Sequence, residues 1–387
     1  MNVTSIPYGR QQITEADIEA VVDVLKSQYL TQGPRVNAFE KAFANYIGSK
    51  FAVAVTNGTA ALHLSAMALG VGPGKRVISS PLTFAASTNC VLYCGGIIEF
   101  CDVDSQTLLL DINLVRKKLE ASPKGTYAGI IPVDFAGAPV DMEAFRSLAD
   151  EFNLFLLEDS CHAPGGYFVD SNGEKQNCGN CAFADAAIFS FHPVKHIACG
   201  EGGMITTNDQ KIYKKLLRLR THGITKDPKE LNRYDGGWYY EMHELGYNYR
   251  LSDINAALGL SQLQRATKNL AIRRDIAANY NKSFKSLNGI QFMNNNHDGH
   301  AFHLAVIKSE NRNELYEYLK ENQIYSQVHY IPVHLHPYYQ LKFGFQLGDF
   351  PKAEEYYKMG LSLPIYPDLT KEQNLFIIDK VKSFFNV

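Results

Sequence analysis

Lys195 stands in FSFHPVKHIACGEGGM, directly after a β-rich run and ahead of a glycine-rich turn. A lysine held with little solvation against an apolar sheet edge loses its charge more readily than a surface lysine and becomes a nucleophilic amine, able to form a Schiff base. Lysines are ordinarily solvated surface charges, so it is position that singles this one out. Asp159, in LLEDSCHAPGG, falls at the carboxyl end of an apolar run, the edge at which open α/β sheets bind ligands. A carboxylate there either pairs with a protonated ring nitrogen or caps the next turn. TNGTAALHL (56–64) ends a strand at Gly58 and starts a helix at about Thr59. Free N–H groups and the helix dipole at such a start suit a phosphate; the plainer alternative is a tight turn with a Thr cap. Ser190, on the run before Lys195, is placed to offer its hydroxyl to the same phosphate, and Phe84 in PLTFAAS either stacks on a flat ring or fills the core.

These residues need a scaffold, and the pattern around them supplies one. FAVAV (51–55), RVISSP (76–81), IIEFCDVD (97–104), AGIIPVD (128–134) and NLFLLED (153–159) are short, apolar and β-rich, with helical patterns between them. Such alternation predicts a mostly parallel sheet with helices on both faces. AAIFSFH and GMITTND add two strands joined by the connection that carries Lys195. ITKDPKELNRYDGGWYYEMHELGYNYR is long, polar and aromatic with little periodicity, which marks a functional loop. Helices from DINAALGLSQLQRATKNL onward and NRNELYEYLKENQ, with FHLAVIKS between them, make a second α+β unit. A chain of 387 residues suits a large domain with a smaller partner, divided here at 1–255 and 256–387.

Composition narrows the functional classes. With 45% hydrophobic and 20% charged residues and a net charge of -2, the chain is an ordinary globular one with no basic excess for nucleic acid or anionic membrane. MNVTSIPYGRQQITEADIEA lacks a basic segment followed by an apolar run, so a cytoplasmic, membrane-free protein is expected. The 7 cysteines do not form a secreted disulfide framework. Cys178 and Cys181 make one C-x-x-C, two ligands short of a structural zinc site, and His329, His334 and His336 lack the H-E-x-x-H spacing, so no metal is expected.

In the order NGTAAL, PLTFAASTN, EDSCHA, FSFHPVKHIACGEGGM and ELGYNYRLSDINAALGLSQL, the chain resembles the sugar-nucleotide aminotransferases, fold-type I enzymes dependent on pyridoxal 5'-phosphate (PLP). The resemblance runs from YGRQQITEADI to YYKMGLSLPIYPDL. It implies an aspartate aminotransferase-like α/β fold, a large domain with a mostly parallel mixed sheet plus a smaller C-terminal α+β domain. It implies Lys195 as catalytic residue and cofactor anchor, Asp159 on the pyridine nitrogen, Gly58, Thr59 and Ser190 on the phosphate, and Phe84 on the ring. Asn248 would reach the phosphate in the neighbouring subunit of a homodimer with shared active sites. His162 stands where the family usually carries glutamine, in a pattern like E-D-x-x-Q, and inherits a ring-side contact. GGWYYEMHELGYNYRLSDINAALGLSQL and YSQVHYIPVHLHPYYQ resemble the branch that makes UDP-4-amino-4,6-dideoxy-N-acetyl-β-L-altrosamine for pseudaminic acid. That branch implies glutamate as donor and a UDP-linked 4-keto-6-deoxy-N-acetylhexosamine as acceptor, with Tyr8, Trp238, Tyr239, His329 and Tyr330 in the substrate pocket. After Arg312 the chain has no arginine of the kind that clamps an α-carboxylate in amino-acid aminotransferases. Three rivals are an aminotransferase for another keto-sugar nucleotide, a sugar dehydratase, whose relatives replace the lysine with histidine, and a PLP-binding regulatory protein. Lys195→Ala is expected to fold and to lose the visible absorption of lysine-bound PLP; a band that persists in this variant would move the anchor to another lysine.

Overall fold

The apolar runs that read as strands pair into one seven-stranded sheet in the computed structural model, which describes residues 5–293 and 298–386. Its strands are β1 (Phe51–Val55), β2 (Arg76–Ser79), β3 (Ile97–Phe100), β4 (Tyr127–Ile131), β5 (Phe155–Asp159), β6 (Ala186–Ser190) and β7 (Gly203–Thr207). In space they follow the order β1-β7-β6-β5-β4-β2-β3. Each pair among β3, β2, β4, β5 and β6 is parallel, and β7 runs antiparallel to both its neighbours. The reversal follows from the link between β6 and β7, which contains no helix to carry the chain back across the sheet. Two strands end earlier than their apolar runs, β2 at Ser79 and β3 at Phe100. Beyond β3 the chain turns at Asp104, whose side chain accepts from the N–H groups of Gln106 (2.9 Å) and Thr107 (2.8 Å).

Helices α1 (Glu15–Leu25) and α2 (Pro34–Ile47) precede the sheet and have no counterpart in the pattern reading. Their signals were local: Thr14 and Asp17 form a capping box, and Pro34 occupies the first turn of α2. Helices α3 (Gly58–Ala68), α4 (Ala86–Tyr93), α5 (Ile112–Glu120), α6 (Met142–Phe152) and α7 (Gln210–Arg220) connect or flank the strands, and α8 (Asp253–Leu263) lies across α1 and α2. Between α7 and α8 the chain contributes only the short pair Ile224–Thr225 and Glu241–Met242, as the aperiodic loop predicts. Among the described residues no helix is long and apolar enough to cross a membrane.

A three-stranded antiparallel sheet of β8 (Gln291–Phe292), β9 (Ala305–Lys308) and β10 (Gly360–Leu363) forms a second layer with α9 (Ala266–Phe284), α10 (Arg312–Glu321) and α11 (Lys371–Phe384). Tyr280, Phe284, Ile307, Leu315, Leu361 and Ile377 fill its own core, joined by Ile6 from the start of the chain. Val333 and Tyr339, by contrast, return to the core of the large sheet beside Val77, Ile98 and Leu62. We propose the division into a large and a small unit on these two cores; the packing favours a joint within α9 over 255/256, since α8 belongs with the large core through Ala256 and Leu263.

The junction of α1 with the end of α8 rests on Asp17, a fully buried carboxylate. It accepts from Arg265 Nη1 (2.9 Å), Gln262 Nε2 (3.0 Å) and Thr14 N (2.9 Å). Asp17→Ala strips Arg265 of its counter-charge and is expected to lower unfolding free energy by about 3 kcal/mol; a denaturant midpoint unchanged from the parent would show that the junction is held by apolar packing alone.

Candidate active site

At the end of β1, Asn57 accepts from the Ala60 N–H (2.8 Å) and caps α3, so the helix starts at Gly58, with Asn57 in the place expected for Thr59. The N–H groups of Gly58 and Thr59 lie in the first turn, where no intrahelical partner exists. A Cβ on Gly58 would stand 2.9 Å from the Ser190 Cβ and 3.3 Å from its Oγ. Only glycine lets the end of β6 come this close, and it brings the helix start and the Ser190 hydroxyl to the lining of one cavity. Gly203 serves the same approach from β7, where a Cβ would meet the Asn57 carbonyl oxygen at 2.4 Å.

Asp159 closes β5 and is buried. Its Oδ2 accepts from Ser87 Oγ (2.6 Å), which is in turn 2.8 Å from Thr83 Oγ1, and its Oδ1 accepts from the Cys161 N–H (3.2 Å). The turn-capping and ligand-facing readings thus hold together, since Asp159 bonds the turn and still lines the cavity. Lys195 follows β6 in a turn closed by its N–H to the His192 carbonyl (2.8 Å). Burial lowers its proton affinity, Cys161 and Asp159 partly restore it, and the buried Arg273 guanidinium lowers it again.

A cavity of about 480 Å³ joins these elements. Gly58, Thr59, Ser190, Asp159, Lys195, His162, Phe84, Tyr8, His329 and Tyr330 all line it. Phe84 is 60% exposed with its ring 6.0 Å from that of Tyr330, so it is a cavity-wall ring and not a core filler. Two residues expected in the substrate pocket, Trp238 and Tyr239, lie elsewhere, and Asn248, expected at the site of a neighbouring subunit, is likewise outside this cavity. Trp238 is 74% exposed, Tyr239 is bonded to Arg233 and Glu241 (2.9 Å each), and Asn248 bridges Thr221. None of the three lines the cavity of its own chain.

The sequence reading missed Asn57, Ser87, Cys161 and His303, all of which line the cavity. Asn57 was recoverable as an N-cap; His303, in HAFHL, carries no local signal, since the small unit brings it in. His162, His196, His303 and His329 cluster near Lys195, each held neutral by burial and, to a lesser degree, by the lysine charge. For His329 the value falls to about 3, with Nδ1 2.9 Å from Ser362 Oγ. Behind Asp159, burial and the Asp134 charge raise Glu158 well above the carboxylate range, so Glu158 keeps a proton for Asp134. Cys178 sits with these two carboxyl groups while Cys181 Sγ bonds the Thr206 carbonyl (3.3 Å), so the C-x-x-C pair is split between two environments. His334 pairs with Glu354 (2.9 Å) in the core.

The donors at Gly58, Thr59 and Ser190, a buried carboxylate, an exposed aromatic wall and a desolvated lysine fit a phosphorylated pyridine aldehyde such as PLP. Comparison with known proteins points the same way. The DegT/DnrJ/EryC1/StrS aminotransferase family matches residues 11–382. The spore coat polysaccharide biosynthesis protein SpsC of Bacillus subtilis is 40% identical over 98% of this chain and 96% of its own. A UDP-4-amino-4,6-dideoxy-N-acetyl-beta-L-altrosamine transaminase of Campylobacter jejuni is 36% identical over 98% and 97%. The structure of Helicobacter pylori PseC, an aminotransferase involved in the biosynthesis of pseudoaminic acid, superposes with a TM-score of 0.88 at 29% identity, covering 99% of this chain and 100% of that one. Solved neighbours include a PLP-form.

The neutral histidines make stability pH-dependent. Their folded pKa values lie below the unfolded value near 6.5, so the unfolded chain takes up protons that the folded one refuses. Their contribution is complete above about pH 6.5 and falls with acidification by roughly 1.4 kcal/mol per pH unit for each histidine. Denaturant unfolding between pH 7 and 5 checks this, and His329→Asn is expected to reduce the slope by about one proton; a flat profile would mean that the imidazoles titrate freely in the folded protein.

Proposed function

The chain belongs to the DegT/DnrJ/EryC1/StrS aminotransferase family, and on that footing we propose that it moves the amino group of glutamate to C4 of a UDP-linked 4-keto-6-deoxy-N-acetylhexosamine, forming UDP-4-amino-4,6-dideoxy-N-acetyl-β-L-altrosamine for pseudaminic acid. It is a PLP-dependent sugar aminotransferase of fold type I. The observation that carries the site assignment is the convergence of Lys195, Asp159 and the Gly58–Ser190 cradle on one cavity. The named substrate is supported by the Campylobacter relative.

In this reading the N–H groups of Gly58 and Thr59 and the Ser190 hydroxyl hold the phosphate, Asp159 holds the ring nitrogen in its protonated form, and Phe84 covers the ring. Bound PLP supplies an electron sink for the pair left behind when a C–H bond breaks. Ser87 and the Cys161 N–H fix the Asp159 carboxylate, so its charge is aimed before the cofactor arrives. Lys195 Nζ would anchor the cofactor and, when released from it, would be the neutral base that carries the proton from the donor Cα across to the cofactor. In the return half it gives a proton to the carbon that was the sugar carbonyl. Low proton affinity in a desolvated setting is what lets one lysine do both. Tyr8, His329 and Tyr330 form the wall for the sugar. Asn248, Trp238 and Tyr239, which lie outside their own cavity, complete the site of a second subunit in a homodimer; the exposed Tyr234, Trp238, Tyr240, Met242 and Leu245 support such a surface. A second reading, another keto-sugar nucleotide as acceptor, is favoured by the different name of the relative at 40% identity.

With PLP bound, glutamate is expected to abolish the visible absorption and the UDP-linked keto-sugar to restore it. Recovery with a different keto-sugar nucleotide alone would favour the second reading, and a band insensitive to glutamate would remove both. Asn248→Ala is expected to weaken PLP retention in a dimer, whereas a fully active monomer in sedimentation would rule out shared sites.

A further inference from the structure

Two side chains on the cavity wall are coupled through a fixed proton. The Ala136 N–H donates to His162 Nδ1 (3.2 Å). A backbone N–H can only donate, so Nδ1 is the accepting nitrogen and the single proton of the neutral imidazole sits on Nε2. Nε2 lies 3.2 Å from Tyr330 Oη, so His162 donates and the phenol accepts. The ring has little freedom to do otherwise. Ala136 occupies the left-handed region at φ 60° in the short helical turn Phe135–Gly137, which points its N–H at the imidazole, and the His303 ring packs 4.3 Å from the His162 ring. Burial keeps His162 neutral and keeps the Tyr330 phenol protonated. With its oxygen already accepting, Tyr330 retains an O–H with no acceptor among the hydrogen bonds of the described residues, and it lines the same cavity as Lys195 and Asp159.

We propose that Tyr330 is a catalytic residue whose O–H is presented to an electron-rich oxygen of the bound reactants, and that His162 is the positioning residue that orients it. The inference rests on the placement of PLP at Lys195. Two oxygens share the required chemistry, the ring oxygen of PLP and the carbonyl oxygen of the keto-sugar, and both are strengthened as acceptors by developing negative charge. The same logic explains the histidine that stands in place of the glutamine usual in the family resemblance. A glutamine at 162 can accept from the Ala136 N–H through its oxygen and donate to Tyr330 through its nitrogen, reproducing the hydrogen-bond polarity that the imidazole sets here.

The test uses Tyr330→Phe, His162→Leu and His162→Gln as full-length PLP-loaded proteins. Absorption is recorded before substrate, and each half-reaction is followed in single turnover with glutamate and with the UDP-linked keto-sugar. A changed absorption in Tyr330→Phe before substrate assigns the O–H to the cofactor oxygen; unchanged absorption with a half-reaction slowed roughly 100-fold assigns it to a substrate oxygen. Absorption and both half-reactions within about threefold of the parent would overturn the proposal. His162→Leu is expected to reproduce the Tyr330→Phe behaviour and His162→Gln to rescue it; equal loss in both would overturn the positioning role. Independently of folding in any variant, nitrogen NMR of the PLP-free parent is expected to show the His162 proton on Nε2, and a proton on Nδ1 would refute the arrangement. A parent that takes up no PLP at Lys195 would instead sink the site assignment, which keeps the two failures apart.

Discussion

The approach of the Gly58 backbone to Ser190 is the constraint from which the site is built. Strands β1 and β6 are not neighbours in the sheet, since β7 lies between them. The start of α3 therefore reaches over β7 to the end of β6, and it does so where three residues give way: Gly58, Gly203 and the short side chain of Ser190. A methyl group at either glycine would push the helix start away from the sheet edge. With the helix seated, its free N–H groups face the same opening as Asp159 at the end of β5 and Lys195 just past β6. The arrangement illustrates why open α/β sheets bind ligands at the carboxyl ends of their strands, where helix starts and strand ends converge.

Electrostatics follow from that packing. The cavity is lined by the Lys195 amine, by the Asp159 carboxylate held by Ser87 and the Cys161 N–H, and by imidazoles that burial keeps uncharged. Beneath them lies Arg273, a buried guanidinium that donates to three carbonyls, those of Phe302, His303 and Ile365. Its partners are dipoles, so its positive charge is not cancelled by a carboxylate in that shell, and it acts on Lys195 from below. A lysine in such a setting is more useful as an amine than as an ammonium.

What was legible in the sequence was whatever depends on local spacing. Lys195, Asp159, Gly58 and Ser190 each sit at a strand end, and a strand end can be read from an apolar run and the turn residues that close it. The sheet itself was legible for the same reason, including the two strands around the lysine loop. The helices α1 and α2 were missed although a capping box and a first-turn proline announced them, because attention to apolar period alone passes over caps. His303 was out of reach for a different reason: it joins the site only because the small unit folds back, with Leu304 N bonding the Ala136 carbonyl (3.1 Å). Trp238 and Tyr239 were nominated for the substrate pocket from motif position, and motif position does not say whether a residue of a long loop reaches the cavity of its own chain.

The contacts of Ile6 and Tyr8 bear on which parts of the sequence must come together before this site is complete. Ile6 pairs with the backbone of Gln323 and Tyr325 and lies in a core completed by α11, while the Tyr8 carbonyl accepts from Ile365 N (3.0 Å). Segments far apart in the sequence must therefore meet before Ile6 and Tyr8 are placed. The sheet that carries Lys195 is built from residues 51–207, whereas the wall made by Tyr8, His329 and Tyr330 also needs Ser362 and Ile365, which bond His329 and Tyr8. The reactive lysine and the walls that choose its partner are thus supplied by different parts of the sequence, and selectivity depends on contacts of longer range than those that place the lysine.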